Sequence, residues 1–278
     1  MPLLYGKQRA SEILTETAHF IREQHLHPGL AVILVGNDAG SEIYVRLKSE
    51  AAERMGIRFN LYRFFKEDDP QAVRDLILRL NQEREVHGII IQLPLPASWN
   101  PDEFITLIDP RKDADGFHPE VVKEYLAGNV RLVPVLPRAI ETLITSTRVP
   151  LQGERAVALV NSDLFSRVIQ QSLSALGLQV MTVKSLEVAK HHSLLSNARV
   201  VVSVCGRPGL LDLSYLRSDA VVVDAGITRV GDQVRGDISG DKENYTGWVT
   251  PIPGGVGPLT IACLLRRVAE IAAENKIA

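Results

Sequence analysis

The sequence predicts an α/β protein of two lobes, each built on a parallel sheet. Short unbroken apolar runs, closed by turn residues, read as strands buried on both faces. Between them lie longer segments with apolar residues at helical spacing, and strands alternating with such helices build parallel sheets. The pattern is complete once by residue 96 and restarts after residue 137, in a chain of 278 residues, long enough for one large domain or two smaller ones.

Taking the elements in order, residues 9–25 carry Ile13, Leu14, Phe20 and Ile21 at roughly helical spacing. Residues 30–35 (LAVILV) form a strand ended by Gly36, Asn37 and Asp38. Residues 41–55 predict a helix, with Gly56 as its stop. Residues 58–65 alternate as a strand does, and 70–82 place Val73, Leu76, Ile77 and Leu80 on one helix face. Residues 88–93 (GIIIQL) are a second buried strand, halted by Pro94 and Pro96. In the second half, helices are expected over 137–146 and 163–176, and strands over 155–160, 178–183, 199–204 and 220–224. A last helix over 258–275 follows a loop with three glycines and is expected to return to the first lobe.

Hydrophobic residues make up 45% and charged residues 23%, as in ordinary soluble globular proteins. Lys and Arg number 31 against 33 Asp and Glu, a formal net charge of −2. That balance argues against a dedicated nucleic-acid or polybasic membrane binder but leaves small anionic substrates open. Cys205 and Cys263 are too few for a disulfide framework and lack metal-ligand spacing. Their apolar settings read as buried small hydrophobes, and no metal is expected. The start, MPLLYGKQRASEIL, lacks the basic and apolar regions of a signal peptide. No apolar stretch reaches the ~18 residues needed to span a bilayer. A cytoplasmic protein is expected.

Four stretches could carry chemistry. Tyr44 and Lys48 stand four residues apart in an expected helix and share one face of it. The phenol ring offers a stacking surface, and the amine acts as acid or base once burial lowers its pKa. The same spacing also describes a plain exposed helix face. Gln92 interrupts a buried strand at its carboxyl end. A polar amide there needs a partner, either neighbouring backbone or a ligand, because open α/β sheets bind ligands at that end. Residues 112–119 (KDADGFHP) gather two carboxylates, a Lys and a His, although generic charged turns look alike and a lone His118 reads as structural. Residues 251–258 (PIPGGVGP) are the most distinctive. Glycine lets backbone approach a ligand, Pro258 suits a first helical turn, and the first amides of that helix favour an anion or a carbonyl oxygen. A plain turn between domains is the alternative.

Together these stretches resemble the bifunctional methylenetetrahydrofolate dehydrogenase/methenyltetrahydrofolate cyclohydrolase (FolD-type) family. The matching segments are 41–48 (SEIYVRLK), 88–96 (GIIIQLPLP), 112–119, 221–229 (VVVDAGITR) and 250–260 (TPIPGGVGPLT), in family order across nearly the whole chain. The resemblance implies a folate-binding catalytic domain over 1–136 with 259–278, a Rossmann-like NADP-binding domain over 137–258, and a cleft between them. It implies that Tyr44 stacks on the folate ring system, that Lys48 is the catalytic lysine, that Gln92 bonds and tunes it, and that Asp115 anchors the pterin edge. Leu93, Pro253, Gly254 and Gly255 become substrate contacts, the last three where folate meets nicotinamide. The implied chemistry is NADP-dependent oxidation of methylenetetrahydrofolate, then hydrolysis of methenyltetrahydrofolate to 10-formyltetrahydrofolate. A homodimer is implied; a nucleic-acid or membrane partner is not. Two alternatives are a cyclohydrolase without dehydrogenase activity and a non-catalytic folate-binding paralogue.

The departures from the family pattern fall mainly on the cofactor side. Where the family has Gly-Arg-Ser-x-x-Val-Gly-x-Pro, this chain has residues 160–168 (VNSDLFSRV). Val160 and Ser166 replace glycines that permit a tight turn and close approach of pyrophosphate to backbone. A valine disfavours positive φ, Phe165 adds bulk, and Asp163 puts a carboxylate where a phosphate would sit. Each change is expected to weaken dinucleotide binding. Val135 and Leu136 stand where the family has Cys and Thr, and Thr228 where it has Asn. The cofactor candidates are Ser162, Arg167, Lys184, Ser185 and Ile227; Lys184 and Ser185 end a strand without an acid, which suits a 2′-phosphate.

Overall fold

A computed structural model describes residues 3–231 and 233–277. The chain divides into two compact units, one of residues 10–135 with 261–277, the other of residues 3–9 with 136–260.

The first unit contains α1 (Lys7–Glu23, cut by the division), β1 (Gly29–Val35), α2 (Ala39–Met55), β2 (Arg58–Phe64), α3 (Pro70–Gln82), β3 (Gly88–Gln92), α4 (Pro101–Ile105) and α5 (Pro119–Leu126). Its sheet runs β2–β1–β3, all parallel, with Leu34 opposite both Arg63 and Gln92. Every residue of β1 is buried, as the unbroken apolar run requires of a central strand. Val73, Leu76, Ile77 and Leu80 of α3 pack with Ala31, Ile33, Ile89 and Ile91. Full burial of each such side chain is worth about 1.5–3 kcal/mol.

Local signals set the helix ends. Asp38 accepts the amide of Ser41 at 2.7 Å and starts α2; Gly56, at φ +78°, stops it. Asp69 accepts the amide of Gln71 at 2.9 Å, and Pro70 opens α3.

Residues 112–119 are a folded loop with divided duties. Lys112 is buried, and its Nζ donates to the carbonyls of Leu80 at 2.9 Å and Glu83 at 2.7 Å, closing the end of α3. Asp113 accepts the amides of Gly116 at 3.0 Å and His118 at 2.7 Å, and pairs by a parallel bridge with Ile89 of β3. His118 caps α5 through the amide of Glu120 at 3.2 Å, the structural role its isolation suggests. Residues 113–115 therefore run beside β3, toward its carboxyl end. The last helix packs on this sheet: a Cβ on Gly88 would stand 2.8 Å from Val268 Cγ2.

The second unit contains α6 (Val135–Ser146, which starts at the division), β4 (Arg155–Val160), α7 (Asp163–Ala175), β5 (Gln179–Lys184), α8 (His192–Ser196), β6 (Val200–Ser203), β7 (Leu211–Asp212), β8 (Val221–Asp224), β9 (Thr228–Val230), β10 (Gln233–Arg235), β11 (Ile238–Ser239), β12 (Trp248–Val249) and the start of α9 (Val256–Ile277). Five parallel strands form its sheet in the order β12–β8–β6–β4–β5. The chain goes from β4 outward to β5, then returns past β4 to β6. The topological switch point thus lies at the carboxyl ends of β4 and β6, where open sheets of this kind bind ligands.

Residues 3–9, expected in the first lobe, group with the second unit. Leu3 bridges Val249, the amide of Leu4 donates to the carbonyl of Val249 at 2.8 Å, and that of Gly6 to Gly254 at 3.0 Å. Cys205 and Cys263 are buried and stand outside any disulfide among the described residues. Among the described residues no helix is long and apolar enough to cross a membrane.

Gly116 tests the loop. It adopts φ +82°, and a Cβ there would lie 2.9 Å from Pro134 Cα. Gly116→Ala is expected to lower stability by about 2 kcal/mol or more in urea unfolding; an unchanged midpoint would contradict this account of the loop.

Candidate active site

In the first unit the site begins with an amine held by an amide. Lys48 Nζ donates to Gln92 Oε1 at 2.8 Å, joining α2 to the carboxyl end of β3. Gln92 Nε2 donates to the carbonyl of Leu93 at 2.8 Å, which turns Oε1 toward the amine. The same carbonyl accepts Ser41 Oγ at 3.3 Å, tying the start of α2 to the end of β3. Gln92 therefore has a neighbouring backbone partner and, as its second partner, the Lys48 amine.

The electrostatics follow from burial. Desolvation holds the Lys48 pKa below the ordinary lysine value, and the Asp115 charge opposes that shift. Desolvation raises the Asp115 carboxyl, Lys48 opposes this, and Asp113 adds to it. Amine and carboxyl are thus brought closer in proton affinity than the free side chains are. Tyr44 lies one turn before Lys48 on α2. Burial raises its phenol pKa, so it stays neutral and presents a ring. Leu93 is 47% exposed beside this group. The structure brings Lys48, Gln92 and Asp115 into one interacting set, with Tyr44 on the same helix as the amine.

Pro253, Gly254 and Gly255 lie in the second unit. Gly254 adopts φ +110°, and a Cβ on Gly255 would stand 2.7 Å from Thr250 Cβ. The amide of Gly255 donates to the carbonyl of Pro251 at 2.9 Å. The loop's own folding accounts for both glycines.

At the switch point, Asn161 Nδ2 donates to the carbonyl of Cys205 at 2.8 Å, linking the ends of β4 and β6. Ser162 caps α7 through the amide of Phe165 at 3.1 Å. Arg167 is exposed on α7, and Ile227, 46% exposed, follows β8. Val160 is the buried last residue of β4, paired with Lys184, and does not have the positive φ for which glycine is needed. Its expected conformational penalty is not incurred. Ser166 fits against β5 by donating to Thr182 Oγ1 at 2.7 Å. Thr228 Oγ1 donates to the carbonyl of Gly206 at 2.8 Å, so this departure also has a structural partner.

Lys184, which the sequence offered to a 2′-phosphate, is engaged by an acid. Its Nζ donates to Asp163 Oδ1 at 2.5 Å, and the ammonium holds that carboxyl below its usual range. Sequence reading also missed Arg207 and Asp237. Arg207 follows β6, and its Nη1 donates to Ser185 Oγ at 3.1 Å. Asp237 is fully buried and accepts Ser203 Oγ at 2.6 Å and the amides of Cys205 at 2.7 Å and Arg207 at 2.6 Å. The one available signal was a Gly-Arg-Pro-Gly turn after a buried strand.

This fold and these sites define a two-domain α/β enzyme with a nucleotide-binding sheet. Residues 4–115 match the family model of the tetrahydrofolate dehydrogenase/cyclohydrolase catalytic domain, and residues 134–276 that of its NAD(P)-binding domain. The chain is 36% identical to bifunctional protein FolD 2 of Pseudomonas syringae pv. syringae, over 98% of this chain and 93% of that one. It is similar to the crystal structure of the Trypanosoma brucei methylenetetrahydrofolate dehydrogenase-cyclohydrolase complexed with NADP cofactor and inhibitor (TM-score 0.90, 28% identity, covering 100% of this chain and 99% of that one). The bifunctional enzyme FolD of Campylobacter jejuni is also similar (TM-score 0.88, 31% identity, covering 99% of each chain). The chain belongs to the tetrahydrofolate dehydrogenase/cyclohydrolase family, whose enzymes interconvert one-carbon units on tetrahydrofolate.

Because the Asp115 charge opposes the depression of the Lys48 pKa, Asp115→Asn should lower that pKa further. Titration of the lysine by NMR after isotopic methylation reads this directly. An unmoved or higher midpoint would remove Asp115 from the site's electrostatics.

Proposed function

We propose that the first unit binds a tetrahydrofolate derivative at Lys48, Gln92, Asp115, Tyr44 and Leu93, and that the chain performs two successive steps on it. These are NADP-dependent oxidation of 5,10-methylenetetrahydrofolate and hydrolysis of the 5,10-methenyl product to 10-formyltetrahydrofolate. The observation that carries this reading is the bond from Lys48 Nζ to Gln92 Oε1, with the Asp115 carboxyl acting on the same amine.

In hydrolysis, water attacks the methenyl carbon, a centre that carries positive charge between two nitrogens. Lys48, its pKa depressed by burial, accepts a proton from that water and returns it to N5 as the carbon–N5 bond breaks; the remaining hydroxyl proton leaves to solvent as the formyl C=O forms. Gln92 holds the amine in place, and the cation in the site further favours its neutral form. Asp115, with its pKa raised, meets the polar edge of the pterin, and Tyr44 supplies a face for stacking. Pro253, Gly254 and Gly255 remain substrate contacts in this proposal.

NADP⁺ supplies the hydride acceptor for the oxidation. Two features of the switch point support a dinucleotide there: β4 runs into α7 without a strained turn, and Ser162 is exposed at the helix start. Ser162, Ser185 and Ile227 would hold it there, with Arg167 on the same helix as Ser162. A cytoplasmic homodimer is proposed from family membership.

Asp163 at the helix start favours a second reading, a cyclohydrolase with weakened dehydrogenase activity. Titrating NADP⁺ by calorimetry decides between them. Micromolar binding supports the bifunctional enzyme; hydrolysis without measurable binding supports the second.

Lys48→Ala is expected to cut methenyltetrahydrofolate hydrolysis by about 10²–10⁴-fold, toward the spontaneous rate. Hydrolysis needs the neutral amine, so the wild-type rate should rise with pH through a midpoint below the ordinary lysine value. A pH-independent rate would exclude Lys48 as the proton acceptor.

A further inference from the structure

We propose that Arg207, together with Ser185, reads the 2′-phosphate of the adenosine ribose and so selects NADP over NAD. The proposal rests on the NADP reading above. In open parallel sheets the ribose 2′ substituent lies at the end of the second nucleotide-binding strand, where an acid selects a hydroxyl and a nearby arginine accommodates a phosphate. Here that strand is β5, which ends at Lys184 and is followed by Ser185.

Lys184 is engaged. It bonds Asp163 at 2.5 Å and approaches the carbonyl of Asn161 at 3.5 Å, so its charge is already opposed. Arg207 reaches the same place from the other side of the switch point. It is exposed, and Nη1 donates to Ser185 Oγ at 3.1 Å. In that bond the serine oxygen accepts, so its own O–H is left to donate to a phosphate oxygen. A guanidinium has five N–H donors. Among the described residues, Ser185 is the only hydrogen-bond partner of this side chain, and no carboxylate is paired with it.

The arginine is also held from below. Asp237 accepts its backbone amide at 2.6 Å and that of Cys205 at 2.7 Å, and Ser203 Oγ anchors the same carboxylate. Asp237 thus fixes the backbone while leaving the guanidinium free. A planar fork on a fixed backbone suits a phosphate better than a point charge on a flexible stem.

The test uses the full chain and two probes that lack nicotinamide, 2′,5′-ADP and 5′-AMP, titrated by calorimetry. Wild type should bind 2′,5′-ADP about 10- to 100-fold more tightly than 5′-AMP, the range of a charge-assisted phosphate contact. Arg207→Ala should erase that preference to within about twofold while retaining 5′-AMP affinity, which also reports a folded site. Arg207→Lys should restore part of it, and Lys184→Ala should leave most of it. A preference that survives Arg207→Ala, or one that Lys184→Ala abolishes, overturns the proposal. Equal loss of both probes in Arg207→Ala does so too. If wild type prefers 2′,5′-ADP yet reduces no NADP⁺ with methylenetetrahydrofolate, the dehydrogenase reading fails and the Arg207 assignment stands. If wild type shows no preference, the assignment fails whatever turnover shows.

Discussion

Parallel strands all end on one side of their sheet, and the side chains that follow them have no next strand residue to pair with. Both units place their chemistry on that constraint. Gln92 is the last residue of β3, and Asp113 pairs beside the same strand, which leads Asp115 toward its end. In the other unit Asn161, Ser185 and Arg207 each follow a parallel strand. The apolar runs that bury β1, β3, β4 and β6 fix where those ends fall. A change in strand register would move every functional group at once.

The buried Lys48 amine and Asp115 carboxyl oppose the stability of the fold that holds them. The folded pKa of Lys48 is depressed, so between that value and the ordinary one the unfolded chain binds more protons, and stability rises with pH there. The folded pKa of Asp115 is raised, so between the ordinary value and that one the folded chain binds more, and stability falls as pH rises. At neutral pH both groups are less comfortable folded than unfolded, and each partly relieves the other. Rigid surroundings keep them in place: the core of α3 against β1 and β3, and Lys112 closing the end of α3.

Much of the architecture was legible because long apolar periodicity is a local property. The strand over 155–160 and the helix over 70–82 have the bounds their patterns imply. The short pairings β7–β11 and β9–β10 were not legible, since two or three residues carry no period and their partners are distant in sequence. Chemistry divided in the same way. That Gln92 needs a partner was visible from the residue itself; that one partner is an amine 44 residues earlier was implied only by the family resemblance, since it is a fact of packing. Lys112 read as part of a chemical loop, but its two carbonyl partners make it a helix closure. Lys184 looked available because sequence does not show Asp163 turning toward it. Arg207 was passed over because it follows the third strand of the sheet, whereas attention to a ribose site falls on the second.

The grouping of residues 3–9 with 136–260 has a consequence for synthesis. The chain contributes to the second unit, then to the first, then to the second again, and residues 261–277 return to the first. Neither unit can be made by a single cut of the gene. As the protein leaves the ribosome, the strand-like segment at Leu3 waits for Val249, and the sheet at Gly88 waits for the helix carrying Val268. Both closures span most of the sequence, so the loop-closure entropy falls due late in folding. Until then the first unit lacks the helix that packs at Gly88, and exposed apolar surface of that kind invites chaperones and aggregation.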